Sequence, residues 1–288
     1  MRSRTLILAA FVIGIFASTT LAQQPSQPRL FQNRQVETVD RAATAAEIHN
    51  AMLAVLKVRY RNASGEVLWF GSGTLFKVIG NDGYVLTNSH VAGPVGSGGT
   101  VEVLVLNKAG HSERGWFETE VVASHMSGYT DVAVLKIAIG TTLSHIKPLS
   151  LLESDCLVDT NISLVNCGSA RGVHYQRGHI TMNNVDTFEF LPQAVGGCSG
   201  SPVLNRTCTR IIGLVAWRSW SPEMDRAVGI AQTVANFKEA FRENKLVPTQ
   251  LFKRRRGRPS APRPPTPPSI PQEELDNIFG DQEPETAP

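Results

Sequence analysis

The chain reads GGCSGSP at residues 196–202, a cluster of glycines and small polar residues that lies between two apolar runs. Two other stretches stand out upstream, GYVLTNSHV at residues 83–91 and TDVAVLKI at residues 130–137. Taken singly, a histidine, an aspartate at a strand start and a glycine-serine loop are ordinary structural features. Together they place histidine, aspartate and serine along one chain, which is a residue set for nucleophilic catalysis.

The sequence around these stretches has the period of β-strands. Residues 56–60 alternate apolar and basic side chains, and similar short runs recur through residues 67–139 and 161–234. The GNDG segment at residues 80–83 lies between two such runs and predicts a tight hairpin. Closely spaced strands without alternating helices predict an all-β fold of antiparallel barrels or sandwiches.

A helix is expected at each end of this β region. Thr44 and Glu47 have the spacing of a capping box and predict a short N-terminal helix. Residues 236–246 (NFKEAFRENKL) predict a C-terminal helix with Asn236 as its N-cap. The folded domain is therefore expected to span residues 44–248.

The N-terminus has the pattern of a secretory signal peptide. Residues 1–22 begin with basic residues, continue into a short apolar core and end with small residues before Gln23. We expect cleavage after Ala22, with an uncleaved anchor as the alternative, and a secreted or periplasmic protein. Residues 23–43 are polar and aperiodic and are interpreted as a linker. No later stretch is long and apolar enough to predict a membrane span.

Composition and charge limit the kinds of partner. The chain has 288 residues, of which 42% are apolar and 18% charged, enough for one large globular domain. Its formal charge of +3 falls to +1 once Arg2 and Arg4 leave with the signal peptide. This balance disfavours nucleic acid or an anionic membrane as the main partner.

The C-terminal segment, residues 249–288, differs in composition from the rest. It is first basic and proline-rich and then acidic, which favours an extended, solvated tail. Alternatively, Leu275, Ile278 and Phe279 share one helical face and predict a segment that docks onto a partner.

The three motif stretches resemble the trypsin-like (chymotrypsin-fold) serine proteases, and in form they are most similar to HtrA-type bacterial peptidases. The resemblance covers about residues 45–235. It implies two antiparallel six-stranded β-barrels, one at about 54–140 and one at about 145–235. The active site is then expected in the crevice between them, and proteins or peptides are the expected substrates.

The resemblance also assigns catalytic roles. Ser199 is the expected nucleophile, His90 the general base and acid, and Asp131 the group that orients the imidazole. The backbone N–H groups of Gly197 and Ser199 are expected to form the oxyanion hole. No metal or cofactor is expected. Chymotrypsin relatives that use cysteine raise Cys198 as a rival nucleophile, but Ser199 is the residue followed by Gly200, two positions after Gly197.

The resemblance assigns a specificity pocket by sequence offset. Gln193 is expected near its base, Ala216, Trp217 and Arg218 on the strand that pairs with substrate, and Gly229 on one wall. Because residue 193 is not Asp, a preference for Lys or Arg is not supported. We expect a medium-sized apolar or uncharged residue before the scissile bond. Arg218 either narrows the entrance or is a surface residue.

Four cysteines lie within 53 residues, and an exported protein favours disulfides over free thiols. Four cysteines allow three connectivities, and the residues alone do not choose among them. The resembled fold favours a pairing of Cys167 with Cys198, accompanied by Cys156 with Cys208.

Two alternative functions remain open at this stage. One is a catalytically silent binding module on a protease scaffold, and the other is an HtrA-like chaperone-protease. The tail is too short and proline-rich to predict a PDZ domain. In the digestive branch of this family, an Asp at the position of Cys198 pairs with the new N-terminus that activating cleavage creates. Because Cys198 has no carboxylate, we expect no activation by insertion of a new N-terminus.

Overall fold

The computed structural model describes residues 41–94, 96–106, 115–138, 144–153, 156–170 and 172–243. The predicted signal peptide (1–22), nearly all of the linker (23–43), the tail (249–288) and the last residues of the predicted C-terminal helix lie outside the described residues. Within the described part of the chain, no helix combines the length and the apolar character that a bilayer crossing requires.

The first barrel is a closed sheet of six antiparallel strands. In chain order these are β1 (Val55–Arg61), β2 (Val67–Ile79), β3 (Asp82–Thr87), β4 (Thr100–Leu104), β5 (Trp116–Ser127) and β6 (Thr130–Ala138). They pair in the closed order β1-β2-β3-β6-β5-β4. The predicted hairpin joins β2 to β3, and Gly80 adopts a φ of +60° there, which glycine does without a Cβ penalty.

The second barrel is also antiparallel and closed. Its strands are β7 (Ser150–Leu151), β8 (Asn161–Asn166), β9 (His174–Asn183), β10 (Thr187–Leu191), β11 (Pro202–Asn205), β12 (Arg210–Ser221) and β13 (Arg226–Thr233). Six of them follow the order β11-β8-β9-β10-β13-β12, and pairing of β11 with β12 closes the ring. The prediction of two six-stranded barrels is confirmed, and the two-residue β7, parallel to β12, is an addition to it.

The N-terminal helix α1 (Ala45–Ala54) begins as the sequence predicts. The Thr44 hydroxyl accepts from the Glu47 N–H at 3.3 Å, and the Glu47 carboxylate accepts from the Thr44 N–H at 2.9 Å. Ile48 and Ala51 on its inner face are fully buried, so the helix packs into the core that includes the first barrel.

The C-terminal helix α3 spans Val234–Glu243, so the predicted start at Asn236 is wrong by two residues. The Thr233 hydroxyl accepts from the Asn236 N–H at 3.2 Å and caps the helix instead. The Asn236 side chain is engaged elsewhere, because its oxygen accepts from the Thr130 hydroxyl at 2.8 Å. Phe237 and Phe241 are fully buried, and each contributes about 2 kcal/mol of hydrophobic stabilisation.

All four cysteines are buried and none forms a disulfide in the structure, so the two expected disulfides are not present. Cys156 and Cys198 belong to one apolar cluster and Cys167 and Cys208 to another, and the pairing of Cys156 with Cys208 is not formed. The pairing of Cys167 with Cys198 is not formed either. Burial raises the pKa of the Cys167 thiol to about 12.

Candidate active site

His90 and Asp131, predicted as partners, are in direct contact. His90 lies on the short helix α2 (Ser89–Ala92), which follows β3, and Asp131 is the second residue of β6. The His90 Nδ1 atom lies 2.5 Å from one carboxylate oxygen, and the His90 backbone N–H donates to the other at 3.1 Å. The carboxylate is 9% exposed and the imidazole 39%, so one ring face remains accessible to a reactant.

The backbone of Asp131 is held as firmly as its carboxylate. Its N–H donates to the Gln232 side-chain oxygen at 2.7 Å. Its carbonyl accepts from the side-chain amides of Gln232 at 2.7 Å and of Asn88 at 2.6 Å. Every polar group of Asp131 therefore has a protein partner, and the acidic partner of the imidazole is fixed in place.

Ser199 lies on a tight loop that is tied to both barrels. Gly197 and Gly200 have φ values of +90° and +82°, which favour glycine. The Ser199 carbonyl accepts from the backbone N–H of Ser72 at 2.8 Å, and the Gly200 N–H donates to the Val215 carbonyl at 2.8 Å. These contacts place the loop of the second barrel that carries Ser199, the predicted nucleophile, against strand β2 of the first.

Gly71 shows how closely the loop approaches the histidine segment. A Cβ at this position would lie 2.6 Å from the Val91 side chain and 3.1 Å from the Ser199 carbonyl oxygen. Val91 directly follows His90, so only a residue without a side chain fits between the two predicted reactive segments.

The Ser199 hydroxyl is not bonded to His90. It donates to the Ala216 carbonyl at 3.3 Å, and in the described part of the chain it makes no hydrogen bond with the imidazole. The backbone N–H groups of Gly197 and Ser199 have no acceptor among the described residues. The loop thus offers two free donors beside a weakly held hydroxyl.

Ser72 supports this loop, and the sequence analysis did not identify it. The hydroxyl is fully buried, donates to the Gly197 carbonyl at 2.7 Å and accepts from the Cys167 N–H at 3.0 Å. The signal is a serine between two glycines near the centre of a mostly apolar strand. A buried hydroxyl needs partners, and here they come from the other barrel.

One of the residues predicted for the specificity pocket lies at a cavity in the structure. A narrow cavity of about 10 Å³ lies beside the nucleophile loop, lined by Leu164, Asn166, Gln176, Phe190, Gln193, Ala194, Cys198, Ser201, Pro202 and Val215. Gln193 is in this lining, whereas Ala216, Trp217, Arg218 and Gly229 are not. Gly229 is covered by the Phe190 ring, which would lie 2.2 Å from a Cβ at that position. Arg218 is exposed.

Cys198 points away from the reactive side of the loop. It is 5% exposed and contributes to the cavity lining. Burial raises the pKa of its thiol, with an opposing contribution from the backbone at Val195. A thiol that is buried and protonated is a poor nucleophile, so the geometry favours Ser199.

Comparison with known proteins decides the family. A sequence profile described as a trypsin-like peptidase domain matches residues 71–214, half of the chain. The chain belongs to the trypsin-like peptidase family. As a member of this family it is a serine-type endopeptidase, a hydrolase that acts on proteins or peptides.

Solved structures of bacterial proteases share the fold of this trypsin-like peptidase. A serine endoprotease from Yersinia pestis aligns with a TM-score of 0.52 at 21% identity, covering 72% of this chain and 65% of that one. The active form of the Rv3671c protease from M. tuberculosis aligns with a TM-score of 0.51 at 15% identity, covering 70% and 85%. No curated protein sequence matches the chain significantly.

Proposed function

We propose that this trypsin-like peptidase is an exported enzyme that cleaves peptide bonds through Ser199, His90 and Asp131 and a covalent acyl-enzyme. The observation that carries the proposal is the bond of 2.5 Å between the His90 Nδ1 atom and the Asp131 carboxylate. A carboxylate in that position accepts the Nδ1–H and leaves the Nε2 lone pair free for a proton. The signal-like residues 1–22 support export.

The chemistry follows from these atoms. The Ser199 hydroxyl turns from the Ala216 carbonyl towards His90, which removes its proton as the oxygen attacks the substrate carbonyl. The Asp131 carboxylate stabilises the imidazolium that forms. The imidazolium then gives its proton to the leaving amine, and water, activated by the same imidazole, hydrolyses the ester on Ser199.

The free N–H groups of Gly197 and Ser199 supply the oxyanion hole in this proposal. As the carbonyl carbon becomes tetrahedral, negative charge develops on its oxygen. Two pre-aligned donors stabilise that charge, and removing one such donor costs about 2.7–4 kcal/mol of transition-state stabilisation in a serine protease.

Substrates with a small, uncharged residue before the scissile bond fit the pocket best. The Phe190 ring fills the space beside Gly229, and Gln193 offers no charge to pair with Lys or Arg. These contacts support a preference for small residues, whereas the sequence-based expectation was a medium-sized one.

The rest of the substrate would bind as an added strand. From Trp217 onwards β12 pairs with β13 on one side and with no strand on the other side among the described residues. A free strand edge pairs with an extended peptide. Tyr129 is 68% exposed and stacks on Trp217 with ring centroids 6.5 Å apart, a surface that favours apolar residues further upstream in the substrate.

A fluorophosphonate probe tests the proposal. It reacts quickly only with a serine that has an assembled base and oxyanion hole. We expect wild type to gain one adduct on Ser199 by intact and peptide mass spectrometry, and Ser199→Ala to gain none. Ser64→Ala, in an exposed turn, is the matched control and should label like wild type.

The bond from the Ser199 hydroxyl to the Ala216 carbonyl favours one alternative, a catalytically silent binding module. In that case the hydroxyl stays on the carbonyl and folded wild type remains unlabelled. Absence of an adduct, together with a cooperative unfolding transition, would select the binding module over the peptidase mechanism.

A further inference from the structure

The proposed triad is divided between the two barrels. His90 and Asp131 come from the first barrel, and Ser199 comes from the second. Catalysis by these groups needs a fixed register across the barrel interface, because a misplacement of about 1 Å is enough to cost about 10²-fold in rate.

One buried side chain bridges this interface at the triad itself. Gln232, on β13 of the second barrel, is fully buried and makes both of its hydrogen bonds to the backbone of Asp131. Its oxygen accepts the Asp131 N–H and its amide donates to the Asp131 carbonyl, each at 2.7 Å. A single primary amide thus pairs with one residue as a neighbouring strand would.

The need for such a partner comes from where β6 begins. Pairing of β3 with β6 ends at Thr87 opposite Ala133, so the backbone of Asp131 extends beyond β3. Without Gln232 the carbonyl would keep its bond from Asn88, but the buried N–H would be left unpaired at a cost of about 1–3 kcal/mol. An apolar side chain at residue 232 cannot supply these bonds.

Gln232 is also connected to the Ser199 loop through neighbouring backbone contacts. Its neighbour across the β12–β13 ladder is Leu214, and the next residue of β12 is Val215. The Val215 carbonyl accepts from Gly200 at 2.8 Å, and its N–H donates to Ser201 at 2.9 Å. A short route of strand pairing, one peptide bond and hydrogen bonds therefore connects the Ser199 loop to Asp131.

We infer that Gln232 is a positioning residue that sets Asp131, and through it His90, in register with Ser199. The inference rests on the proposed function of these three residues. Gln232 touches no substrate. It acts by holding the acidic partner of the imidazole against the barrel that carries the nucleophile.

The test compares Gln232→Leu and Gln232→Glu with a matched variant, Thr130→Val. Gln232→Leu removes both hydrogen bonds to Asp131. Gln232→Glu keeps an oxygen that accepts from the Asp131 N–H but loses the amide that donates to the Asp131 carbonyl. Thr130→Val removes the adjacent cross-barrel bond to Asn236 and leaves Asp131 untouched. We expect kcat to fall about 10- to 100-fold in both Gln232 variants with KM changed less than threefold, and to stay within twofold of wild type in Thr130→Val.

A second readout does not depend on turnover. The low-field proton NMR signal of the His90 Nδ1–H reports directly on its bond to Asp131. We expect this signal to shift or broaden in Gln232→Glu and to be unchanged in Thr130→Val. If Gln232→Leu does not fold, the Glu variant alone decides the comparison.

The outcomes separate the inference from the proposed function. An unchanged NMR signal in the folded Gln232 variants overturns the positioning role, whether or not the wild-type protein is active. Equal kcat losses in Thr130→Val and the Gln232 variants also overturn it, because the role would then be general barrel packing. Inactive wild-type protein with a shifted signal overturns the proposed function and supports the positioning role.

Discussion

The two halves of the site are built differently. In the first barrel, both carboxylate oxygens and both backbone polar groups of Asp131 are hydrogen-bonded, and His90 is held at two of its atoms. In the second barrel, the Ser199 hydroxyl has one long bond of 3.3 Å, and the N–H groups of Gly197 and Ser199 have no acceptor among the described residues.

In the proposed mechanism, the difference in hydrogen bonding separates the base, which is fixed in advance, from the Ser199 loop, whose polar groups are left for the substrate. In this mechanism the base and its carboxylate are preorganised before substrate arrives. The nucleophile loop keeps its hydrogen-bonding capacity for the substrate and is held mainly by its backbone, through Ser72 and Val215. Changes in the first barrel should therefore disturb proton transfer, whereas changes around the loop should disturb the oxyanion.

Removing the nucleophile or removing its base should lower kcat to the same extent. We expect Ser199→Ala and His90→Ala each to lower kcat by about 10⁴–10⁶-fold, the range known for serine proteases, because the hydroxyl and its base act as one unit. The double variant should lose no more than either single variant. Additive losses in steady-state kinetics on a peptide substrate would show that the two halves act independently.

Substitution of Ser72 tests whether its hydroxyl holds the Ser199 loop in place. Ser72→Ala leaves the Gly197 carbonyl and the Cys167 N–H without their partner, so the oxyanion donor at Gly197 shifts. We expect kcat to fall roughly 10- to 100-fold, less than the 10²–10³-fold loss for removing a donor outright. The free energy of unfolding in urea should fall by about 1–3 kcal/mol.

The control for Ser72 is Thr119→Val, which also removes a hydroxyl-to-carbonyl bond, to Val101 at 2.9 Å, but within the first barrel. It should lower stability and leave kcat unchanged. If Ser72→Ala loses stability alone, the hydroxyl does not organise the oxyanion hole.

Phe190 tests the shape of the pocket. Phe190→Leu opens space beside Gly229, and we expect the ratio of kcat/KM for Val over Ala before the scissile bond to rise about tenfold. Phe188→Leu is the matched control, because Phe188 is equally buried on the same strand but does not line the cavity. A peptide library profile measures both variants, and identical profiles would remove Phe190 from the pocket.

The smallest effect, a change in stability alone, is expected for a substitution of Glu102 on the outer face of the first barrel. Burial alone would raise the pKa of the Glu102 carboxyl, but hydrogen bonding and charge at Arg59, with Arg61, lower it overall. The stabilisation is present above the unfolded pKa and is lost as pH falls through the lowered folded value. Glu102→Gln should therefore cost about 1 kcal/mol at pH 7 and nothing at pH 2, with kcat unchanged.

A urea titration of both proteins at several pH values measures this difference. A stability gap between wild type and Glu102→Gln that persists at pH 2 would contradict the assignment of the lowered pKa to the arginine contacts. A change in kcat would show that the outer face and the site are coupled.

Much of the architecture could be predicted from local patterns. Two-residue periodicity and the hairpin at residues 80–83 indicate strands, and the capping box at Thr44 and Glu47 marks a helix start correctly. The resemblance around His90 and Asp131 predicts their contact. These features are short-range or repeat a family motif, so the sequence contains them directly.

The remainder depends on contacts across the barrels. Gln232 meets Asp131, and Ser72 meets Cys167, across 101 and 95 residues of chain, and no local period reports such a pairing. Asn236 was misassigned as an N-cap because Thr130 binds its side chain in the folded protein. The expected disulfides depended on connectivities that spacing alone does not fix.

The most direct test of the central claim is a crystal structure of the wild-type protein after reaction with a peptidyl phosphonate. We expect a bond from the Ser199 oxygen to phosphorus, with the phosphoryl oxygen about 2.7–3.1 Å from the N–H groups of Gly197 and Ser199. The His90 imidazole should remain bonded to Asp131. An adduct on another residue, or a phosphoryl oxygen that neither N–H contacts, would contradict the account.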